Sequence, residues 1–68
     1  MQLSARNQLT GTVKEIKHGP VSTEVTIDVG GTEIVSSITS GSAEALNLKE
    51  GDQAVAIIKA SSVMVGKE

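Results

Sequence analysis

The stretch VSTEVTIDVGGTEIVSSIT, residues 21–39, decides the fold of this 68-residue chain. Its first part alternates in polarity, which is the period of a strand with one buried face. That face is predicted to carry Val21, Thr23, Val25, Ile27 and Val29. Gly30 and Gly31 follow, and both tolerate the positive φ angles that a two-residue hairpin loop needs. The stretch therefore predicts a β-hairpin whose second strand runs from Thr32 to Thr39.

The segment before the hairpin, Thr10 to Lys17, is rich in residues that favour strands. Val13 and Ile16 would point to opposite faces of a regular strand, because successive side chains alternate. The segment is therefore predicted to contain a β-bulge or to be buried on both sides. His18-Gly19-Pro20 marks its end.

A short helix is predicted after the hairpin. Residues Ser42 to Leu46 are mostly good helix formers, and Ser40 and Gly41 precede them as possible caps. Asn47 is a plausible stop, since Asn tolerates the left-handed conformation that often ends a helix. The helix has at most two turns.

The last third of the chain predicts two more strands, separated from the helix by a turn at Lys49 to Asp52. Ala54 to Ile58 is apolar on both faces, which favours the centre of a sheet or a subunit contact. Val63 to Val65 could form a last short strand. Five strands with a helix between the third and fourth predict an all-β, five-stranded, OB-like Greek-key barrel. Residues 1–68 are expected to form a single domain.

The size of the chain predicts self-association. A domain of this length buries barely enough apolar surface to offset the entropy of folding. The chain has no cysteine, and His18 is its only histidine, so a disulfide framework and a structural zinc site are both excluded. A homo-oligomer remains as the way to bury more surface.

Composition also limits the possible partners. The chain has no Phe, Tyr or Trp and a net charge of −2, whereas proteins that hold single-stranded nucleic acid use aromatic residues in a basic groove. It shows no basic region followed by an apolar run at its start, and no apolar stretch approaches about 18 residues. Neither nucleic acid nor a membrane is expected as a partner, and a cytoplasmic location is the default.

The residue inventory does not support catalysis. His18 lies beside a Gly-Pro turn, where a solvated surface histidine is the usual case. Glu24 and Asp28 alternate along one strand, which is typical of a solvated outer face rather than a carboxylate pair. No catalytic residue and no enzyme activity are predicted.

Donors suited to a compact anion occur in three places. Arg6 offers a guanidinium group and Ser4 a hydroxyl, Lys59 offers a point charge, and residues 39–42 open a helix whose free amides favour an anion. Each also has a plain interpretation: Arg6 and Lys59 as ordinary surface charges, and the Ser and Thr residues as helix caps. Together they form a hypothesis of anion binding.

Four segments resemble the molbindins, the small proteins of the Mop family. These are SARNQLTGTV at residues 4–13, ITSGS at residues 38–42, LNLKEGD at residues 46–52, and IKASSVM at residues 58–64. They follow the family's order, so that the similarity extends over nearly the whole chain, and the SARNQL and IKAS segments are quite specific.

The resemblance implies a cytoplasmic oligomer of OB-like subunits, typically a hexamer built as a trimer of dimers. It implies storage or buffering of molybdate or tungstate, bound as the oxyanion at subunit interfaces, with no organic cofactor and no separately bound metal ion. By the family pattern, Ser4, Arg6, Lys59 and the backbone of Ala60 of one subunit, with Ala5 beside them, face Thr39 and Ser42 of another.

The chemistry of such a site bears on selectivity. A site of donors without a carboxylate disfavours monohydrogen phosphate, whose proton would stay unpaired, while sulfate must be rejected by size. The sequence does not separate molybdate from tungstate. Three alternatives stay open: a structural or regulatory OB-like oligomerisation module, a nucleic-acid-binding OB module, and a molybdopterin carrier, the last disfavoured because no aromatic residue could stack on a pterin.

Overall fold

A computed structural model describes residues 2–68 of the chain. It contains four strands, one short α-helix and one turn of 3₁₀ helix. In chain order these are β1 (Asn7–Lys17), β2 (Ser22–Val29), β3 (Thr32–Thr39), α1 (Ser40–Ala45), β4 (Gln53–Ile58) and the 3₁₀ turn (Ala60–Ser62). The helix lies between the third and fourth strands, as predicted.

The predicted hairpin is confirmed. β2 and β3 pair antiparallel from Ser22 with Thr39 to Val29 with Thr32. Gly30 and Gly31 have φ angles of 57° and 94°, the left-handed values that a two-residue loop of this kind demands. Val21 was placed on the buried face, and this was wrong: it precedes the strand and is 77% exposed. Pairing begins only at Ser22, so no neighbouring strand holds Val21 against the core.

The predicted bulge lies in β1. Val13 pairs with Ile27 and Glu15 pairs with Thr26, so Lys14 is the extra residue. The inserted residue shifts the alternation by one position, and Ile16 therefore pairs with Val25 on the same face as Val13. The bulge resolves the conflict in the sequence pattern by bringing both apolar side chains to the core.

The strands form one antiparallel sheet in the order β3-β2-β1-β4. This is the Greek-key order, in which a fourth strand returns to lie beside the first. The first half of β1, from Asn7 to Thr12, pairs with β4, and its second half, from Thr12 to Lys17, pairs with β2. Side chains from both edge strands, Ile38 of β3 and Ala54 of β4, line one apolar groove of about 400 Å³, so the sheet is strongly curled.

The predicted fifth strand was wrong. It is absent from the described residues, because the 3₁₀ turn leads Val63 to Val65 away from the sheet and leaves them without a neighbouring strand. The barrel is therefore a curled four-stranded sheet. β4 is an edge strand, so of the two positions predicted for it the centre of the sheet is wrong, and a subunit contact stays a prediction; its Ile57 is 45% exposed.

The helix begins two residues earlier than predicted, so that Ser40 and Gly41, predicted as possible caps, lie inside it. Thr39 is its N-cap, and the Thr39 Oγ1 atom accepts a hydrogen bond from the Ser42 amide at 3.1 Å. Asn47 adopts a φ of 51° just after the helix, so its predicted role as the stop is confirmed. The turn at Lys49 to Asp52 is also confirmed, with the Lys49 amide donating to the Asp52 carboxylate at 3.0 Å.

The core is small. Its buried apolar residues are Val13, Val25, Ile27 and Ala56, and Ala43 of the helix is buried as well. Large apolar side chains remain exposed over the rest of the described chain, most of all Met64 and Val65 at 94% each. No helix among residues 2–68 is long and apolar enough to span a bilayer.

Candidate functional site

Most of the predicted anion-binding residues line one surface depression of about 590 Å³. We call this depression the cationic region, and it is lined by Ser4, Ala5, Arg6, Ile57, Lys59, Ala60 and Ser61. The first half of β1 pairs with β4, which places the start of one strand beside the end of the other. Residues about 50 positions apart in the sequence therefore meet at this end of the sheet.

Two positive charges line the cationic region. The β1–β4 ladder ends with Asn7 opposite Ile58, and Arg6 and Lys59 are the residues directly beyond this last pair. Like charges brought close together repel. The ion pairs among residues 2–68 join Lys14 to Glu33 and Lys17 to Glu15, and neither involves Arg6 or Lys59. The arrangement therefore leaves two exposed cations that a bound anion could neutralise.

Side-chain hydrogen bonds fix the backbone around these cations. The Asn7 Nδ2 group donates to the Ile58 carbonyl at 3.1 Å, and the Gln8 Nε2 group donates to the Ala5 carbonyl at 2.8 Å. The first bond ties the residue after Arg6 to the residue before Lys59. No role was predicted for Asn7 or Gln8 from the sequence. Their position inside the SARNQL segment is the sequence feature that could have pointed to them.

The chain turns sharply after Lys59, and this turn forms the end of the depression that Ala60 and Ser61 line. Lys59 is extended, with φ −61° and ψ 132°, and it precedes the 3₁₀ turn. The Ser62 amide donates to the Lys59 carbonyl at 2.8 Å, and the Val63 amide donates to the Ala60 carbonyl at 3.2 Å. These bonds hold Ala60 and Ser61 at the wall of the depression.

The other predicted residues, Thr39 and Ser42, lie outside the cationic region. They belong to the junction of β3 and α1, and we call residues 39–42 the hydroxyl region. Thr39 Oγ1 accepts from the Ser42 amide at 3.1 Å and donates to Ser42 Oγ at 2.7 Å. Because Thr39 gives its hydroxyl proton to Ser42, the proton that remains available to a ligand is that of the exposed Ser42 hydroxyl.

The two regions lie at opposite ends of the sheet. The cationic region is at the Asn7 end of β1, whereas Thr39 pairs with Ser22, beyond the Lys17 end of the same strand. β1 has 11 residues. An extended strand of that length measures about 30 Å, which is an upper bound here because β1 carries a bulge and the sheet is curled. Thr39 and Ser42 do not line the depression that contains Arg6 and Lys59 of the same chain.

A lysine outside these regions shows the contrasting case. Lys14, the bulge residue, pairs with Glu33 on the outer surface of the sheet. The hydrogen bond from Lys14 to Glu33 and the negative charge of that carboxylate raise the pKa of Lys14 above its ordinary value. Its charge is already balanced, unlike those of Arg6 and Lys59.

Comparison with known proteins gives concordant matches. A family model for the TOBE domain matches residues 3–65. A probable molybdenum-pterin-binding protein of Haemophilus influenzae is 54% identical over 69 residues, covering 100% of both chains. Molybdenum-pterin-binding protein 1 of Clostridium pasteurianum is 44% identical, covering 96% of this chain and 97% of the relative.

Solved structures match closely as well. A molybdate-binding protein from Sporomusa ovata has 43% sequence identity and a TM-score of 0.94, with 98% of this chain and 100% of that chain covered. The cytoplasmic molybdate-binding protein ModG, solved with molybdate bound, has 54% identity and a TM-score of 0.89, and this chain spans 46% of its length. The chain belongs to the TOBE-domain family and, within it, to the molybdenum-pterin-binding (Mop) proteins that the SARNQL and IKAS segments resemble.

Proposed function

We propose that this protein binds molybdate at interfaces between copies of itself and serves to store or buffer the anion in the cytoplasm. The observation that carries the proposal is that two exposed cations, Arg6 and Lys59, line one depression and form no ion pair among residues 2–68. Molybdate is a dianion, and two charge-assisted contacts are what a site needs to hold it.

The rest of the lining suits an oxyanion. Ser4 and Ser61 carry hydroxyl donors, and Ala5 and Ala60 are small enough to let a ligand approach the backbone. No carboxylate is among the described residues that line the depression. Monohydrogen phosphate would therefore lack a carboxylate acceptor for its proton, and a proton left unpaired costs about 1 to 3 kcal/mol, whereas molybdate is fully deprotonated near neutral pH. Tungstate has the same charge, and we expect it to bind as well.

The positions of Thr39 and Ser42 support a site shared between chains. They do not line the depression that contains Arg6 and Lys59 of their own chain, so we place them around the same anion from another copy. We propose that Ser4, Arg6, Lys59 and the Ala60 backbone of one chain, with Ala5 beside them, meet Thr39 and Ser42 of a neighbour. The family resemblance makes a hexamer, a trimer of dimers, the expected assembly.

Exposed apolar surface supports self-association. Val63, Met64 and Val65 are 49%, 94% and 94% exposed and follow a turn that directs them away from their own sheet. The groove between the curled edge strands is lined largely by apolar side chains such as Ile38 and Leu48. We expect the apolar segment of one copy to be buried in the apolar groove of another, which favours self-association.

The relatives support the ligand. The Sporomusa ovata structure is that of a molybdate-binding protein, and ModG was solved with molybdate bound. The Haemophilus influenzae and Clostridium pasteurianum relatives are named for molybdenum-pterin binding. This chain has no aromatic residue to stack on a pterin, so we propose the free oxyanion as its ligand.

Isothermal titration calorimetry tests the ligand. The assembled protein should bind molybdate and tungstate, and bind phosphate and sulfate far more weakly. Heat from a molybdopterin but not from molybdate would support the pterin alternative instead. Absence of heat with all five ligands would leave only a structural role, and the proposal would be wrong.

Complementation between variants tests the interface. Arg6→Ala damages the cationic region and Ser42→Ala damages the hydroxyl region, so each variant alone should bind weakly. When the two are co-expressed and form mixed oligomers, about one interface in four should combine the two intact regions and regain full affinity. If both regions served one site within a single chain, mixing would restore nothing. If the hydroxyl region takes no part, Ser42→Ala alone would already bind with full affinity.

A further inference from the structure

Thr23 is a polar residue at a core position. It lies on the face of β2 that carries Val25 and Ile27, and its side chain is 0% exposed. Valine has the same shape and would add apolar contact there, so the hydroxyl must offset its burial with a hydrogen bond. The Thr23 Oγ1 atom lies 2.8 Å from Ser40 Oγ.

The donor in the Thr23–Ser40 hydrogen bond follows from a second bond, which Ser40 makes to Gly19. Ser40 Oγ donates to the Gly19 carbonyl at 2.5 Å. A carbonyl only accepts, so the single hydroxyl proton of Ser40 is directed to Gly19, and the proton between Thr23 and Ser40 comes from Thr23. The chain of bonds runs from the Thr23 hydroxyl through the Ser40 hydroxyl to the Gly19 carbonyl.

Ser40 is held by its backbone as well. Its amide donates to the Val21 carbonyl at 2.9 Å, so one residue is tied twice to the turn between β1 and β2. A Cβ atom at Gly19 would lie 2.4 Å from the Ser22 carbonyl oxygen, and only glycine permits this close return of the chain. Ser40 is half-buried, while Thr39 before it and Ser42 beyond it are exposed.

We propose that Thr23 is a positioning residue for the anion site, acting through Ser40 to fix where Thr39 and Ser42 present their hydroxyls. This inference rests on the proposed function, since it concerns the half of the site that the hydroxyl region supplies. Thr23 does not reach the surface and does not touch the ligand. Its hydroxyl sets the orientation of Ser40, and Ser40 sets the path of the backbone between Thr39 and Ser42, whose hydroxyl is the donor available to a ligand.

Two substitutions separate this role from ordinary core packing. Thr23→Val keeps the shape and removes the hydroxyl, and Thr23→Ser keeps the hydroxyl and removes a buried methyl group. Both should lower the thermal stability, because each loses one stabilising interaction. Thr23→Val should weaken molybdate binding about five-fold, whereas Thr23→Ser should stay within about two-fold of the unaltered protein. Calorimetry of the assembled protein and thermal unfolding followed by far-ultraviolet circular dichroism measure the two effects.

A double-mutant cycle supplies an independent test at a half-buried position. Ser40→Ala should also weaken binding about five-fold, and adding Thr23→Val to it should change the affinity little, because Thr23 acts through Ser40.

Two outcomes would overturn the proposal. The first is an equal loss of affinity in Thr23→Val and Thr23→Ser. The second is a Thr23→Val substitution that still weakens binding five-fold when Ser40 is already replaced by alanine. If Thr23→Val does not fold, Ser40→Ala and Thr23→Ser still decide, since the proposal requires loss in the first and not in the second. Absence of molybdate binding in the unaltered protein would contradict the proposed function itself.

Discussion

The cationic region and the hydroxyl region are built in opposite ways. In the cationic region Arg6 and Lys59 are exposed and unpaired among the described residues, and hydrogen bonds hold only the backbone beside them. In the hydroxyl region the side chains of Thr39 and Ser40 each make two hydrogen bonds, and one of those of Ser40 joins it to the buried Thr23. Under the proposed function, the cationic region would supply attraction for an anion and the hydroxyl region would supply fixed geometry.

We expect the largest effect from Gly11→Ala, because it destabilises the sheet on which both regions lie. Gly11 lies in the middle of β1, and a Cβ atom there would be 2.4 Å from the Asp28 carbonyl oxygen and 2.8 Å from Ile27 Cγ2. Gly11→Ala should lower the free energy of unfolding by about 3 kcal/mol, since backbone and core atoms must move. Chemical denaturation followed by circular dichroism measures this, as the chain has no aromatic residue for fluorescence.

Gly66→Ala is the matched control for Gly11→Ala. A Cβ atom at Gly66 meets no atom within 4 Å, so the same chemical change should leave stability unaltered. Equal stability of the two variants would show that the close approach of β1 to β2 does not limit the fold.

The next largest effect should come from the cationic region alone. Arg6→Ala or Lys59→Ala should weaken molybdate binding by about 1.5 to 3 kcal/mol, because each removes a charge-assisted contact. Lys49→Ala removes the same charge from an exposed turn and serves as the control. Calorimetric affinities unchanged in both Arg6→Ala and Lys59→Ala would contradict the assignment of this region, while secondary structure should stay intact in all three.

A smaller effect is expected from the hydroxyl region. Ser42→Ala removes the outward hydroxyl and keeps the Thr39 cap, so binding should weaken by about 1 kcal/mol with little change in stability. Thr39→Val should weaken binding and should also destabilise the helix start by about 1 kcal/mol. Thr39→Ser keeps the hydroxyl and should therefore retain the affinity and the stability of the unaltered protein. The affinity should be measured on assembled and dissociated protein, since a shared site predicts that these losses appear only in the oligomer.

The smallest effect is expected where a cation already has its partner. Glu33→Gln should leave molybdate affinity unchanged, because the Lys14–Glu33 pair lies outside both regions. The pKa of Lys14 is raised in the folded state, so the contribution of the pair to stability is present below the ordinary value of 10.5 and is lost as the pH rises through the folded pKa. Stability profiles of Glu33→Gln and the unaltered protein should therefore converge at high pH. A stability difference between the two proteins that widens at high pH would contradict this account of the Lys14–Glu33 pair.

Much of the fold could be predicted because local patterns dictate it. The alternation along β2, the Gly30-Gly31 loop and the left-handed Asn47 each follow from the conformations that those residues allow. The last strand could not be predicted in the same way. Val63 to Val65 has the composition of a strand, but a strand forms only beside a partner, and none lies next to it within residues 2–68.

The sequence by itself determined the chemistry of this protein: small residues and two cations in the SARNQL and IKAS segments, with no aromatic or cysteine side chain to serve another purpose. Only the tertiary structure decided how those residues are arranged. The pairing of β1 with β4 brings Arg6 and Lys59 to one depression, and Thr39 and Ser42 do not line it. Likewise, the polarity of Thr23 is visible in the sequence, but its bond to Ser40 is not, because hydrogen bonds between distant residues depend on how the chain returns on itself.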